Sequence, residues 1–214
     1  QLDPPPAPPR TTSLTAPAPQ PDPALRERKK LRTRIAIRRA TYRLISEQGY
    51  DATTIEQIAE ASEVSPSTVF RYFATKEDIV LAEEYAPVVE AELRNRPAGE
   101  PPLESLRFIM TEALTAFLAS EEEELRQRTR LMVEVPAVRA RMTETMSDTA
   151  KLLAQALADR SGRDPDDLED RVLVAAALGA LREVTLYWGE HGQEGDLIAM
   201  IHQALDRLEG GLTL

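Results

Sequence analysis

The side chains best suited to chemistry lie in one window: Ser65, Ser67, Thr68, Arg71 and Tyr72, with Thr54 eleven residues before it and Lys76 four residues after Tyr72. They supply hydroxyls, one guanidinium and one ammonium, which is the chemistry of binding rather than of bond making. Small hydroxyls allow close approach to phosphate oxygens, and a guanidinium presents paired donors that match guanine O6 and N7. The residues of catalysis are scarce. Cysteine is absent and the two histidines, His191 and His202, stand eleven apart, about three helical turns, too far for a local chelate. No Ser-His pairing, glycine-rich phosphate loop or HExxH pattern occurs, so the sequence predicts no catalytic group, no cofactor and no metal.

The charge balance at first argues against a nucleic-acid partner. The formal charge is −10 over 214 residues and the isoelectric point about 4.9. The average hides a strong polarity. Residues 24–46 carry nine Lys/Arg against Glu27 alone, net +8, whereas residues 81–214 carry fourteen basic against twenty-six acidic side chains, net −12. Such asymmetry points to a polyanion at one end and keeps the acidic half away from it.

The elements that must position the window are helical throughout. Nine of the sixteen prolines fall in residues 1–23, which predicts a disordered, partly polyproline arm over 1–25. Ile37, Ala40, Leu44 and Ile45 then mark the buried stripe of a first helix that stops at Gly49. Thr54 with Gln57 has the pattern of a capping box for a second helix that buries Ile55, Ile58 and Ala59. Ser65 caps a third, with Pro66 at its first position and Val69, Phe70 and Phe73 inside. A fourth begins near Thr75 and runs to the break at Pro97, Pro101 and Pro102. Further helices are predicted at 103–119, 121–134, 137–160, 165–190 and 194–209. No alternating pattern supports a strand, so the fold class is all-α. The longest unbroken apolar run, Val172 to Leu181, falls short of the ~20 residues of a membrane span, and with no signal-like N-terminus the expected setting is a soluble, cytoplasmic protein.

A short helix, the turn Ala61-Ser62-Glu63-Val64 and a capped second helix make a helix-turn-helix over 54–73, whose second helix would enter the DNA major groove. Lys76 at the start of the next helix would put its charge beside a phosphate. The segment TIEQIAEASEVSPSTVFRYF at 54–73, followed by ATKEDIV and preceded by Gln48-Gly49-Tyr50, resembles the TetR family of bacterial transcriptional regulators over about residues 34–81. That resemblance implies an all-helical homodimer with a DNA-binding domain at 26–80 and a regulatory and dimerisation domain at 81–214. It assigns phosphate contacts to Thr54, Tyr72 and Lys76, groove contacts to Ser67, Thr68 and Arg71, and the cap to Ser65. The family commonly has Tyr where this chain has Phe70, so a hydroxyl is missing there.

In the acidic half, Phe108, Phe117, Met132, Tyr187 and Trp188 are the bulky adaptable side chains proposed to line a pocket for a small apolar or amphipathic ligand. Five arginines, Arg126, Arg128, Arg130, Arg139 and Arg141, fall within sixteen residues. They read either as a solvated face paired to Glu122 and Glu124 or as a site for an anionic head group, and this portion weakly resembles regulators of acyl-CoA-like ligands. The small-residue helix at 165–190 and the helix at 194–209 suit a dimer interface. The function expected is a ligand-relieved repressor on a near-palindromic operator. The competing class is a helical small-molecule-binding or scaffolding protein without DNA contact.

Overall fold

A computed structural model describes residues 23–82, 86–164 and 166–211, and the proline-rich segment 1–22 lies outside them. The described residues contain helices and no strand: α1 (Pro23–Gln48), α2 (Ile55–Ala61), α3 (Pro66–Tyr72), α4 (Lys76–Val80), α5 (Ala86–Asn95), α6 (Pro102–Glu134), α7 (Pro136–Ser161), α8 (Leu168–Glu190) and α9 (Leu197–Glu209). Local chemistry sets most boundaries. Thr54, Ser65, Thr75, Asp167 and Asp196 each accept a backbone N–H at a helix start, and Pro136 opens α7 with only Val135 between it and the end of α6. Arg139 closes the end of α6, donating through Nε to the Met132 carbonyl at 3.1 Å and through Nη2 to Val133.

Against the sequence reading, α1 already begins at Pro23, within the arm expected over 1–25. The single helix predicted from Thr75 to the prolines is two, because α4 ends at Val80 and α5 begins at Ala86. The division predicted between 103–119 and 121–134 is present as a kink: Glu121, with φ −144° and ψ 38°, leaves the helical region and separates two helical halves of α6.

Among the described residues, three apolar clusters hold the helices together. Ile37, Ile58, Ala59, Val69, Phe73 and Ile79 form the centre of the three N-terminal helices. Tyr42, Val80, Leu81, Leu131, Met132, Val138 and Leu186 form a middle layer that joins α1 and α4 to α6, α7 and α8. The largest cluster, including Leu106, Leu157, Val174, Trp188, Ile201 and Leu205, fills the bundle of α5 to α9. At Gly189 a β-carbon would lie 2.7 Å from Thr129 Cγ2 and 2.8 Å from Val133 Cγ2, so a glycine is what lets α8 approach α6 this closely.

Candidate nucleic-acid interface

The site is built from α2, its turn and α3. Thr54 Oγ1 accepts from Gln57 N at 3.3 Å while Gln57 Oε1 accepts from Thr54 N at 2.9 Å, and Gln48 Nε2 donates to the same oxygen at 2.8 Å. This capping box fixes the start of α2 against the end of α1. The turn is closed by Glu63 in the left-handed region, φ 57°, with Val64 N donating to Ala59 O at 3.0 Å. Ile58, Ala59 and Val69 then bury the seam between the two helices.

On the outer side of α3 the structure brings four expected residues into one hydrogen-bonded chain. Ser65 Oγ lies 2.8 Å from Ser67 Oγ and 2.9 Å from Thr68 Oγ1, and Arg71 Nη2 donates to Thr68 Oγ1 at 3.4 Å. Thr68 N is capped by Ser65 Oγ at 3.1 Å. Ser65, Ser67 and Arg71 are exposed and Thr68 half-buried. Tyr72 is half-buried beside this face, its ring 5.5 Å from the Arg71 guanidinium, and Thr54 is exposed at the start of α2.

Phe70 is a correction to the sequence reading. It was expected inside with Val69 and Phe73, yet it is 55% exposed, while its two neighbours in that set are fully packed. One residue of helix turns a side chain by about 100°, which carries Phe70 to the outer face, where it stands at i+3 from Ser67 and next to Arg71.

Lys76 does not take the outward orientation expected of it. Its ammonium was expected to face outward to a phosphate, but it turns inward and donates to the carbonyls of Tyr50 and Thr53 at 2.6 and 2.9 Å, with the Tyr50 ring 3.9 Å away. Burial holds its pKa below the usual lysine range, against the opposing pull of Glu77 and Asp51. The Tyr50 hydroxyl donates to Glu77; burial, followed by this bond, raises its pKa well above that of a free tyrosine. Burial opposes the Glu77 carboxylate, but the bond from Tyr50 and its other donors outweigh it and keep the acid below its ordinary pKa. Lys76, Tyr50 and Glu77 thus lock the α1–α2 turn to α4. Spacing gave no signal of this, since the partners of Lys76 lie 23 and 26 residues away.

The basic stretch of α1 is also divided by the fold. Arg34 donates to Tyr72 O at 3.3 Å and lies 4.4 Å from the Phe73 ring, and Arg38 is buried against Glu121 and Glu124 of α6. Gln127 of α6 donates to Tyr42 O at 2.9 Å, Tyr42 donates to Val80 O at 2.7 Å, and Arg141 of α7 meets Asp78 of α4 at 2.6 Å. The N-terminal helices are therefore tied to the bundle through α1 as well as α4.

The five side chains expected to line a ligand pocket are not gathered. Met132 belongs to the middle layer, Trp188 to the bundle core with Phe117 at its margin, Phe108 is exposed beneath the Arg96 guanidinium, and Tyr187 is exposed and stacked on His191. A cavity of about 320 Å³ instead opens between α7 and α8, lined by Met146, Ala150, Ala175 and Leu178 with Lys151 and Arg171. The arginine run is occupied internally: Arg126 pairs with Glu122, Arg130 with Glu123, Arg141 with Asp78, and Arg139 caps α6. Among the described residues no cluster of metal-ligating side chains occurs.

A helix-turn-helix with an exposed hydroxyl and guanidinium face, carried on an all-helical bundle, defines a DNA-binding transcriptional regulator. Residues 37–82 match the family model for bacterial regulatory proteins of the TetR family, and residues 100–213 match the model for the MftR C-terminal domain of the same group. The chain belongs to the TetR family. It is 36% identical over 174 residues to the HTH-type transcriptional regulator TcmR of Streptomyces glaucescens, covering 78% of this chain and 77% of that one. Among solved structures it is similar to the fatty acid degradation regulator FadR of Bacillus halodurans, with 25% identity, a TM-score of 0.56 and coverage of 84% of this chain and 96% of the other. It is also similar to Thermus thermophilus FadR, a transcriptional repressor in complex with lauroyl-CoA, with 26% identity, a TM-score of 0.52 and coverage of 85% and 95%.

Proposed function

We propose that the protein is a ligand-relieved repressor that binds a near-palindromic operator as a homodimer, with residues 26–80 on DNA and 81–214 for regulation and dimerisation. The observation that carries this reading is the outer face of α3, where Ser65, Ser67, Thr68 and Arg71 form one connected polar chain beside an exposed Phe70. Arg71 would read guanine, the hydroxyls and Thr54 and Tyr72 would hold phosphates, and the Phe70 ring would meet a thymine methyl. Lys76 would set the position of α4 rather than search for phosphate.

Support for the dimer comes from α8. Only 28% of its most apolar eighteen-residue window is buried within one chain, and Leu168 and Val172 are exposed. A helix this apolar needs a further partner, and a second copy meeting α8 and α9 supplies it. The effector class is small and amphipathic, acyl-CoA-like; it is supported by the likeness to the lauroyl-CoA complex. Such a ligand lowers DNA affinity by binding the DNA-incompetent arrangement more tightly, typically by ~1–3 kcal/mol, and the contacts of Arg38 and Gln127 offer the route.

Selection from random duplex DNA, followed by release with a series of acyl-CoA thioesters, tests both parts. A two-fold-related consensus and release by one chain length are expected. Failure to retain any duplex, measured down to low salt, would remove the operator reading.

A further inference from the structure

The first helix is longer than the DNA-binding fold requires. Its first buried residue is Ile37 and its first tertiary anchor is Arg34, which holds the end of α3 through Tyr72 O and the Phe73 ring. Ahead of Arg34, α1 continues as helix back to Pro23, and residues 24–32 are all exposed. Eleven residues of helix extend ~16 Å. Five cations stand on it, Arg26, Arg28, Lys29, Lys30 and Arg32, and among the described residues only Lys30 has an ion partner, Glu27 at 2.7 Å.

The cations behind this point are used differently. Arg34 packs on α3, Arg38 is buried, and Arg39 lies 3.7 Å from Glu121. Among the described residues the basic stretch is thus divided: Arg34, Arg38 and Arg39 meet other helices, whereas the five cations of 26–32 make no ion pair outside α1. Apart from Leu25 and Leu31, which are themselves exposed, this stretch is polar, and no residue of 24–32 is buried, so its charge is available to an external polyanion. Because the extension leaves the body beside Tyr72, at the end of the recognition helix, the polyanion within reach is the duplex on which α3 lies.

We infer that residues 23–32 form a basic helical arm that runs along the phosphate backbone flanking the operator, extending the footprint without reading sequence. This rests on the DNA-binding reading of α3. Measured along the duplex axis one strand presents a phosphate every ~3.4 Å, so these ten residues, ~15 Å of helix lying parallel to that axis, span about four of them. The arm adds affinity and salt dependence, while base preference stays with Arg71 and Phe70. The net −12 of residues 81–214 repels the same duplex and leaves the arm and α3 as the approaching side.

The test compares the full chain with a variant carrying Arg26→Gln, Arg28→Gln, Lys29→Gln and Arg32→Gln. Glutamine preserves helix propensity, and these side chains are exposed, so circular dichroism and thermal unfolding should match the parent. Each lost phosphate contact lowers the slope of log K against log salt by ~0.9, so a fall of about 2–4 per protomer is expected, with an unchanged consensus and a hydroxyl-radical footprint shortened at both flanks. An unchanged slope and footprint would overturn the arm. So would anionic phosphatidylglycerol vesicles binding the parent and not the variant while the DNA slope stays the same, because the arm would then serve a membrane surface. Arg71→Ala run in parallel separates the two readings. If it relaxes the consensus while the quadruple variant changes nothing, the arm alone is wrong; if the parent retains no duplex, the reading of α3 has failed with it.

Discussion

Arg38 of α1 and Glu121 of α6 meet at 2.6 Å although 83 residues separate them, and both side chains are almost wholly buried, at 2% and 7% exposure. Glu121 is also the residue at which α6 leaves helical geometry, and Glu124 adds a second contact to the guanidinium at 3.3 Å. A charge taken from water this completely is tolerated only when paired and hydrogen-bonded, so the bend in α6 and the position of α1 are fixed together.

Replacing Arg38 by Met leaves the buried Glu121 and the largely buried Glu124 to the longer contacts with the exposed Arg39, at 3.7 and 3.9 Å. Breaking one side of a buried pair costs ~3–5 kcal/mol. Denaturant unfolding should show a loss of that order, and a change below ~1 kcal/mol would mean that the carboxylates find other partners. The milder Glu121→Gln keeps a hydrogen-bond acceptor and should weaken the effect of effector on DNA binding more than it weakens the fold.

Phe70 supplies an assay with single-methyl resolution. Covering one methyl group contributes ~0.8 kcal/mol, about fourfold in affinity. Replacing thymine by uracil at the contacted position should weaken the parent by that factor per half-site and leave Phe70→Ala unaffected. A variant that still distinguishes the two bases would place the methyl contact elsewhere.

Lys76→Met removes two charge-assisted hydrogen bonds to the Tyr50 and Thr53 carbonyls. The consequence should appear in stability, ~1–3 kcal/mol by thermal or denaturant unfolding, with little change in the salt slope of DNA binding. A lysine acting on phosphate would show the reverse, a slope lower by ~0.9 and an unchanged melting temperature.

Acid sensitivity should arise at the α5–α6 connection. Hydrogen bonds from Arg96 and then Ser105 hold the Glu100 carboxyl down to about 2, from an ordinary value of 4.5. A depressed acid stabilises the fold above its unfolded pKa and loses that contribution as the pH falls toward its folded pKa. Melting temperatures recorded from pH 5 to pH 2 should therefore fall more steeply for the parent than for Glu100→Gln, and parallel curves would remove the assignment.

The contrast between these residues shows where sequence reasoning reaches. The caps at Thr54, Ser65 and Thr75, the turn at Glu63 and the break at Pro136 are legible because each acts on backbone within about four residues. The polar face of α3 follows from the same local geometry. Phe70 was misplaced because α3 has seven residues, and across two turns a hydrophobic triplet at 69, 70 and 73 does not decide which member is out.

By itself, then, the sequence determined the all-α class, the helix-turn-helix and the polar residues that α3 presents, though not Phe70, all matters of short-range hydrogen bonding and helical period. Only the tertiary structure decided the use of charge. Nine cations in residues 24–46 look alike as a run, but packing sends Arg34 to α3 and Arg38 to Glu121 and leaves five on a projecting arm. The same packing disperses the expected ligand-lining side chains through separate layers and occupies much of the arginine run internally. A charge or a ring carries no local record of its partner, because the partner is brought by chain segments tens of residues away, and its burial is settled only when those segments meet.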